Sequence, residues 1–250
     1  MKTDNPQDAL PQKLPAPPPE TMQKWQNLLA ALSGLESAIV AYSGGVDSGL
    51  LAFAAHRALG ARALAVTLLS ELESSQQAES AAQFARQAGF PHLTLEFDAL
   101  RLAPIRRNAA LRCYFCKKAM LDRLHLLAAE KGYAAVIEGQ NKDDENELRP
   151  GRKAVYESGA RSPLAENGLR KAEIRQIARW LGLSVWNLPA APCLATRFPY
   201  GETLTPAKLR RAAQAEVFLR QLGFETVRVR AQQNAARIEV DPQEMQAVVN

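Results

Sequence analysis

The sequence predicts an α/β protein, a doubly wound parallel sheet followed by a small C-terminal α+β appendage. Three observations carry that prediction. Short apolar segments at 38–42, 63–69, 92–97 and 134–138 alternate with stretches of helical periodicity at 48–59, 73–88 and 114–131, the rhythm of βαβ units with right-handed crossovers. A glycine-rich turn follows the first apolar segment directly, and ligands in such folds bind outside the carboxyl ends of the strands. The 250 residues are 47% hydrophobic and 23% charged, enough to bury a core and too apolar for wholesale disorder.

Taken in order, residues 1–20 are rich in proline and poor in apolar bulk, which predicts a disordered or polyproline-like tail. From 21 to 35, Trp25, Leu28, Leu29 and Leu32 recur at helical spacing. Ala38-Ile39-Val40-Ala41-Tyr42 is apolar at every position, as in a strand covered on both faces. Gly89 and Gly132 stand where the second and third crossover helices should stop. After Gly139 the rhythm breaks into a polar loop at 140–149, a helix near 171–181 and a loop at 189–202. The last section predicts a helix at 206–222 and two strands, 226–230 and 236–240. The expected organisation is therefore a tail at 1–20, a nucleotide-binding domain at 21–203, and a substrate-binding or oligomerisation unit at 204–250.

The charge distribution narrows the function classes. The net charge is +5, from 31 basic and 26 acidic residues. Between Pro206 and Arg237, seven basic side chains face only Glu216 and Glu225, so the excess is local and suits a phosphorylated ligand or RNA. No apolar run approaches the ~20 residues that span a bilayer. Met1-Lys2-Thr3-Asp4 lacks a secretory apolar stretch, so a cytoplasmic protein without a membrane partner is expected. Three cysteines, an odd number in a reducing compartment, argue against a disulfide framework.

Two motifs carry chemistry. Ser43-Gly44-Gly45-Val46-Asp47-Ser48 sits between a strand and a helix, where glycines admit a phosphate and the helix N-terminus offers N–H donors and positive potential. No Lys-Ser/Thr pair follows, which excludes the common kinase and GTPase loop. Cys113-Tyr114-Phe115-Cys116 places two sulfurs on one face of a helix start. Lys117 and Lys118 beside them are expected to favour the thiolates. Cys193 lies in a proline-bounded loop. On chemistry alone the trio fits a redox pair, half a zinc site, isolated thiols, or a [4Fe–4S] cluster with one open iron. His56, His92 and His125 form no ligand-like cluster in the sequence.

The Ser-Gly-Gly-x-Asp-Ser loop resembles that of the PP-loop ATP pyrophosphatases, which adenylate a substrate and release pyrophosphate. Further motifs resemble the LarE family of sulfur transferases within that superfamily. They are Gly139-Gln140-Asn141-Lys142-Asp143-Asp144-Glu145-Asn146, Arg149-Pro150-Gly151, Gly159-Ala160-Arg161-Ser162-Pro163-Leu164, Arg197-Phe198-Pro199-Tyr200-Gly201 and Thr226-Val227-Arg228-Val229-Arg230. The likeness runs from about Trp25 to Val240. It implies that Ser43, Gly44, Gly45, Asp47 and Ser48 bind ATP phosphates, Asp47 through Mg²⁺. The implied substrate is a pyridinium dicarboxylate mononucleotide whose phosphate is held by Arg228 and Arg230. Arg197, Glu216 and Asp144 are further substrate-site residues on the same ground. The family has a form in which one cysteine, at the position of Cys193, gives up its own sulfur. In its other form Cys113, Cys116 and Cys193 hold a [4Fe–4S] cluster supplied by a sulfide donor, and this chain resembles that form. A nickel-inserting protein of the same pathway and a homo-oligomer are the implied partners. A tRNA thiolase of the superfamily is the alternative, set back by the modest basic excess. A non-enzymatic cluster- or zinc-binding regulator of nucleic acid would leave Ser43–Ser48 unexplained.

Overall fold

The computed structural model describes residues 15–146, 150–189, 191–224, 226–232 and 235–246. The helix α1 (Pro19–Ser33) precedes β1 (Ala38–Ala41), α2 (Val46–Leu59), β2 (Ala63–Leu69), α3 (Ser75–Ala88) and β3 (His92–Glu96). There follow a short α4 (Ala103–Arg106), α5 (Arg112–Lys131), β4 (Ala135–Glu138), α6 (Pro150–Ser158), α7 (Pro163–Glu166) and α8 (Lys171–Trp180). The chain then runs through 3-10 turns to α9 (Pro206–Gln221), β5 (Arg228–Gln232) and β6 (Ala235–Glu239). Part of the expected tail, residues 1–14, lies outside the described residues. Its C-terminal end belongs to the fold instead: Pro17 is buried and α1 starts at Pro19, because proline's fixed φ is already helical and its missing N–H costs nothing in the first turn.

The strands pair in parallel in the order β3-β2-β1-β4. The chain leaves β1 toward β2 and later returns to β1's other edge as β4, so the crevice between the carboxyl ends of β1 and β4 is the switch point where ligands bind in open α/β sheets. Register makes the two faces explicit. Ile39 pairs with Val136 and Val40 with Ile137, and the two pairs point to opposite sides of the sheet. Val40 and Ile137 share a buried cluster with Leu28, Leu50 and Ile174 of α1, α2 and α8. Ile39 and Val136 pack with Leu121, Leu124 and Leu127 of α5. Helices cover both faces, which is why β1 is apolar at every position. No helix among the described residues is long and apolar enough to cross a membrane.

A third core joins the last section to the rest. Leu209 and Ala212 of α9 pack with Leu194, Ala195 and Phe198, and these with Leu72, Leu100 and Ile105. At its edge lies a buried ion pair. Arg197 donates from Nε to Glu216 Oε1 at 2.6 Å and from Nη2 to Oε2 at 3.0 Å. The backbone N–H of Val229 donates to Oε1 at 3.0 Å and Arg220 donates to Oε2 at 3.2 Å. Burial pushes the Glu216 carboxyl up, but the Arg197 and Val229 hydrogen bonds and the Arg197 and Arg220 charges outweigh it and hold the group below its ordinary range. One carboxylate thus ties the 193–201 loop, α9 and β5 together.

Breaking this pair should be costly. Glu216→Gln leaves the Arg197 charge buried without its partner, and about 3–5 kcal/mol of stability is expected to be lost in urea unfolding at neutral pH. Because the folded pKa is depressed, the pair's contribution is complete above the ordinary glutamate value of 4.5 and disappears as pH falls through the lower folded value. Unfolding curves recorded down the acid limb should therefore converge for the parent and Glu216→Gln.

Candidate active site

At the end of β1 the chain turns through Ser43 and Gly44 into α2, whose N-cap, Gly45, is extended and offers no side-chain cap. The first N–H groups of α2 thus receive no side-chain oxygen from the N-cap, the condition under which a helix start accepts an anion. Gly44 has φ of +82°, and a Cβ there would lie 2.8 Å from the Ala81 Cβ. Gly139, directly after β4, approaches the same turn so closely that its Cβ would lie 2.9 Å from the Ser48 backbone nitrogen. Ser43 and Ser48 interlock: their hydroxyls are 3.0 Å apart, and the Ser43 N–H donates to Ser48 Oγ at 3.2 Å. The five loop residues singled out from the sequence therefore form one compact turn at the switch point.

Asp47 stands at the mouth of this turn. Its Oδ2 accepts from Lys171 Nζ at 2.6 Å, while Oδ1 is buried without a partner. Burial pushes its carboxyl above the usual range, Lys171 pulls it back, and the Asp144 charge pushes it up again. A buried carboxylate with an unused oxygen and too little positive charge nearby is suited to a divalent cation. Asp144 belongs to this neighbourhood: it influences Asp47 and accepts the Asn141 N–H at 3.0 Å. Asp143 fixes the start of α8 by accepting the Lys171 N–H at 2.9 Å and Arg170 Nη1 at 2.9 Å. Lys171 has no motif of its own in the sequence, because it meets Asp47 across 124 positions.

The cysteine helix is anchored to the sheet nearby. Glu138, the buried last residue of β4, accepts from Lys117 Nζ at 2.9 Å, Ser162 Oγ at 2.6 Å and the Gln140 N–H at 3.0 Å. This corrects the expectation that Lys117 and Lys118 favour the thiolates. Lys117 is held by Glu138, and Lys118 pairs with Asp122 on its own helix at 2.5 Å. The Cys116 thiol is pushed up to about 12, by burial first, with Glu73, Cys193 and Cys113 adding to it and Lys117 only partly opposing. Burial also raises the Cys193 thiol, Arg112 draws it down, and Cys113 and Glu73 raise it. The three sulfurs, one exposed and two half-buried, are therefore within electrostatic reach of one another although Cys193 is remote in sequence. Among the described residues, no three His, Cys, Asp or Glu side chains are arranged to hold a single metal ion.

Hydrogen bonds from Leu72 and Asn108 position the Cys193 loop. Leu194 donates its N–H to Leu72 O at 2.8 Å. Asn108 is fully buried with φ of 48°. Its Nδ2 donates to Phe198 O at 3.1 Å and Pro199 O at 2.7 Å, with Ala195 O at 3.5 Å. Asparagine tolerates this left-handed backbone better than most residues. Sequence reading missed it because its partners lie in a distant loop. Beyond the loop opens a cleft of about 500 Å³ whose wall includes Arg112, Thr196, Tyr200, Arg228, Arg230 and Arg237. Arg228 and Arg230 alternate along β5, and Arg237 lies opposite Arg230 on β6, so all three share one face. Arg230 donates to Glu239 at 2.7 Å and to Thr196 O at 2.8 Å, and Arg237 also pairs with Glu239, at 3.0 Å. Arg197 also borders this cleft but pairs with Glu216; Asp144 lies with Asp47 instead. Arg149 is outside the described residues.

Asn108→Asp keeps a residue tolerant of positive φ but removes the Nδ2 donor and sets a carboxylate against carbonyl oxygens. A loss of about 1–3 kcal/mol, read from urea denaturation, is expected, together with faster alkylation of Cys193 as its loop loosens.

Residues 22–190 match the NAD synthase family model. Over 226 residues the chain is 45% identical to an uncharacterised protein of Synechocystis, covering 90% of this chain and 84% of that one. Over 218 residues it is 41% identical to pyridinium-3,5-bisthiocarboxylic acid mononucleotide synthase of Lactiplantibacillus plantarum, covering 87% of this chain and 79% of the synthase. Among solved structures it is similar to NMN synthetase of Francisella tularensis, with a TM-score of 0.55 and 19% identity over 68% of this chain and 75% of that one. It is also similar to the NH3-dependent NAD synthetase of Campylobacter jejuni, with a TM-score of 0.53 and 22% identity over 66% and 73%. Those two likenesses speak for the fold alone. The switch-point loop and the long matches to full-length relatives agree, and the chain belongs to the LarE family of the PP-loop ATP pyrophosphatases.

Proposed function

We propose that this protein is an ATP-dependent sulfur transferase that adenylates the carboxylates of a pyridinium-3,5-dicarboxylate mononucleotide and converts them to thiocarboxylates. The observation that carries the reading is the position of Cys193, in a loop whose neighbours Pro192 and Thr196 line the arginine cleft. A sulfur nucleophile thus borders a cleft built for an anionic ligand, in a chain 41% identical to a synthase of a bisthiocarboxylic acid mononucleotide.

A carboxylate oxygen is a poor leaving group, so ATP is needed to activate it. The turn at Ser43–Ser48 receives the β- and γ-phosphates as pyrophosphate while the substrate carboxylate takes the α-phosphoryl group. Asp47, with its unpartnered oxygen, would hold Mg²⁺, whose chemistry when bound is to neutralise phosphate charge. Where Cys193 gives up its own sulfur, its thiolate attacks the acyl carbon; a C–S bond forms, the C–O bond to phosphate breaks and AMP leaves with the electron pair, after which loss of the Cys193 Cα proton breaks the Cβ–S bond and releases the thiocarboxylate. Arg228 and Arg230 hold the substrate phosphate as charge-assisted donors, supported by their shared face in the cleft.

Cys113, Cys116 and Cys193 would hold a [4Fe–4S] cluster, whose chemistry when bound is the supply of a transferable sulfide. Three thiols within electrostatic reach of one another, two on a helix start and one in a remote loop, support a cluster that spreads its ligands over three irons and leaves one open. The alternative sulfur source is Cys193 itself, leaving dehydroalanine.

Direct nucleotide analysis should find AMP and pyrophosphate as products, and ADP would exclude the reading. Asp47→Ala should lose adenylation while keeping the parent's melting temperature within a few degrees, since it removes a buried, under-compensated carboxylate.

The cysteines should separate the two sulfur sources. With a shared cluster, each single Cys→Ala variant loses both the brown chromophore of the anaerobically reconstituted protein and sulfur transfer, yet still adenylates substrate. With a sacrificed sulfur, Cys193→Ala alone is inactive, and the parent shows one turnover and a mass loss of one H₂S.

A further inference from the structure

Arg112 opens α5 and is only 5% exposed, yet no described residue accepts a hydrogen bond from its side chain. Its Nε is buried without a partner, and the guanidinium lies over the Tyr200 ring, 4.9 Å from the centroid. An aromatic face attracts a cation but does not replace the hydrogen-bonding anion that a buried guanidinium needs. Elsewhere the protein meets that need: Arg197, equally buried, has Glu216. Arg112 differs because it forms part of the cleft wall. It shares that wall with Pro192 and Thr196, which flank Cys193 in its loop, whereas Arg228, Arg230 and Arg237 come from the β5–β6 hairpin. The cleft thus offers one group of cations on the hairpin and a separate planar cation beside the sulfur.

We infer that Arg112 holds a ring carboxylate of the substrate beside Cys193, so that the cleft selects a mononucleotide bearing a ring carboxylate over one bearing the neutral carboxamide. The guanidinium fork matches a carboxylate with two parallel N–H donors, which an amide cannot accept in the same way. The inference rests on the mononucleotide reading above and adds the residue that recognises the reacting group.

Calorimetric titration of the full chain with nicotinic acid mononucleotide and with nicotinamide mononucleotide tests it, because the two differ only in that group. The parent should prefer the acid by roughly ten- to a hundred-fold, the worth of a hydrogen-bonded charge pair. Arg112→Gln should bring the two affinities together, and Arg112→Lys should keep part of the preference. Arg228→Ala should weaken both ligands equally and leave their ratio intact. Without ligand, Arg112→Gln should melt at or above the parent temperature, since an uncompensated buried charge has gone; a purely structural arginine would lower it. Equal affinities in the parent, or a preference that survives Arg112→Gln, would overturn the inference and leave the mononucleotide reading standing. Failure of both mononucleotides to bind the parent would remove that reading and the inference with it. Should Arg112→Gln not fold, the parent's ratio and the Arg112→Lys ratio still decide.

Discussion

The arginine cleft depends on one buried carboxylate. Glu216 accepts hydrogen bonds from Arg197, Arg220 and the Val229 backbone, so the loop that carries Cys193, the helix α9 and the strand that carries Arg228 and Arg230 share a single anchor. Without it the cleft would have no fixed distance between its sulfur and its cations. Replacing such a pair with apolar groups is often neutral for stability, so its value here is positional: it aligns two charged edges of the backbone that hydrophobic packing alone would let slide. The third core beneath it, Leu194, Phe198 and Leu209 among others, supplies the burial that makes the ion pair stiff.

Of the side-chain atoms buried without a partner among the described residues, two belong to the candidate site. Asp47 Oδ1 and Arg112 Nε are both buried without partners, one acidic and beside the phosphate turn, the other basic and beside Cys193. A polar group in that condition destabilises the empty fold, and a ligand of opposite charge would relieve it. The neighbouring groups that look equally functional are satisfied internally: Ser43 with Ser48, Lys117 with Glu138, Arg197 with Glu216.

The sheet and the chemistry have separate origins in the chain. The likeness to NAD and NMN synthetases at 22% and 19% identity covers 66% and 68% of this chain and speaks for the fold. Cys193, Arg228 and Arg230 lie beyond residue 190, where the match to the NAD synthase family model ends. The cysteine loop and the arginine hairpin are therefore additions to the part of the chain that the family model describes.

The local features were legible in the sequence because each is set within a few residues. Apolar runs and period-3.6 patterns place β2 at Ala63–Leu69 as expected and most other helix and strand ends within about two residues of the structure. Ser43–Ser48 announces a tight strand-to-helix turn because Gly44 takes a positive φ with no room for a Cβ, and Arg228 and Arg230 share a face because strands alternate. Tertiary structure alone decided which charges meet. Lys171 reaches Asp47, Asn108 reaches Phe198 and Pro199, and Arg197 reaches Glu216, none at a spacing that helix or strand periodicity makes visible. It also pairs Lys117, which the sequence sets beside Cys116, with Glu138, and lets burial outweigh that lysine's pull on the thiol. Sequence proximity states which groups are available; burial and packing set the local dielectric and choose each charge's partner, and those depend on where the whole chain has gone.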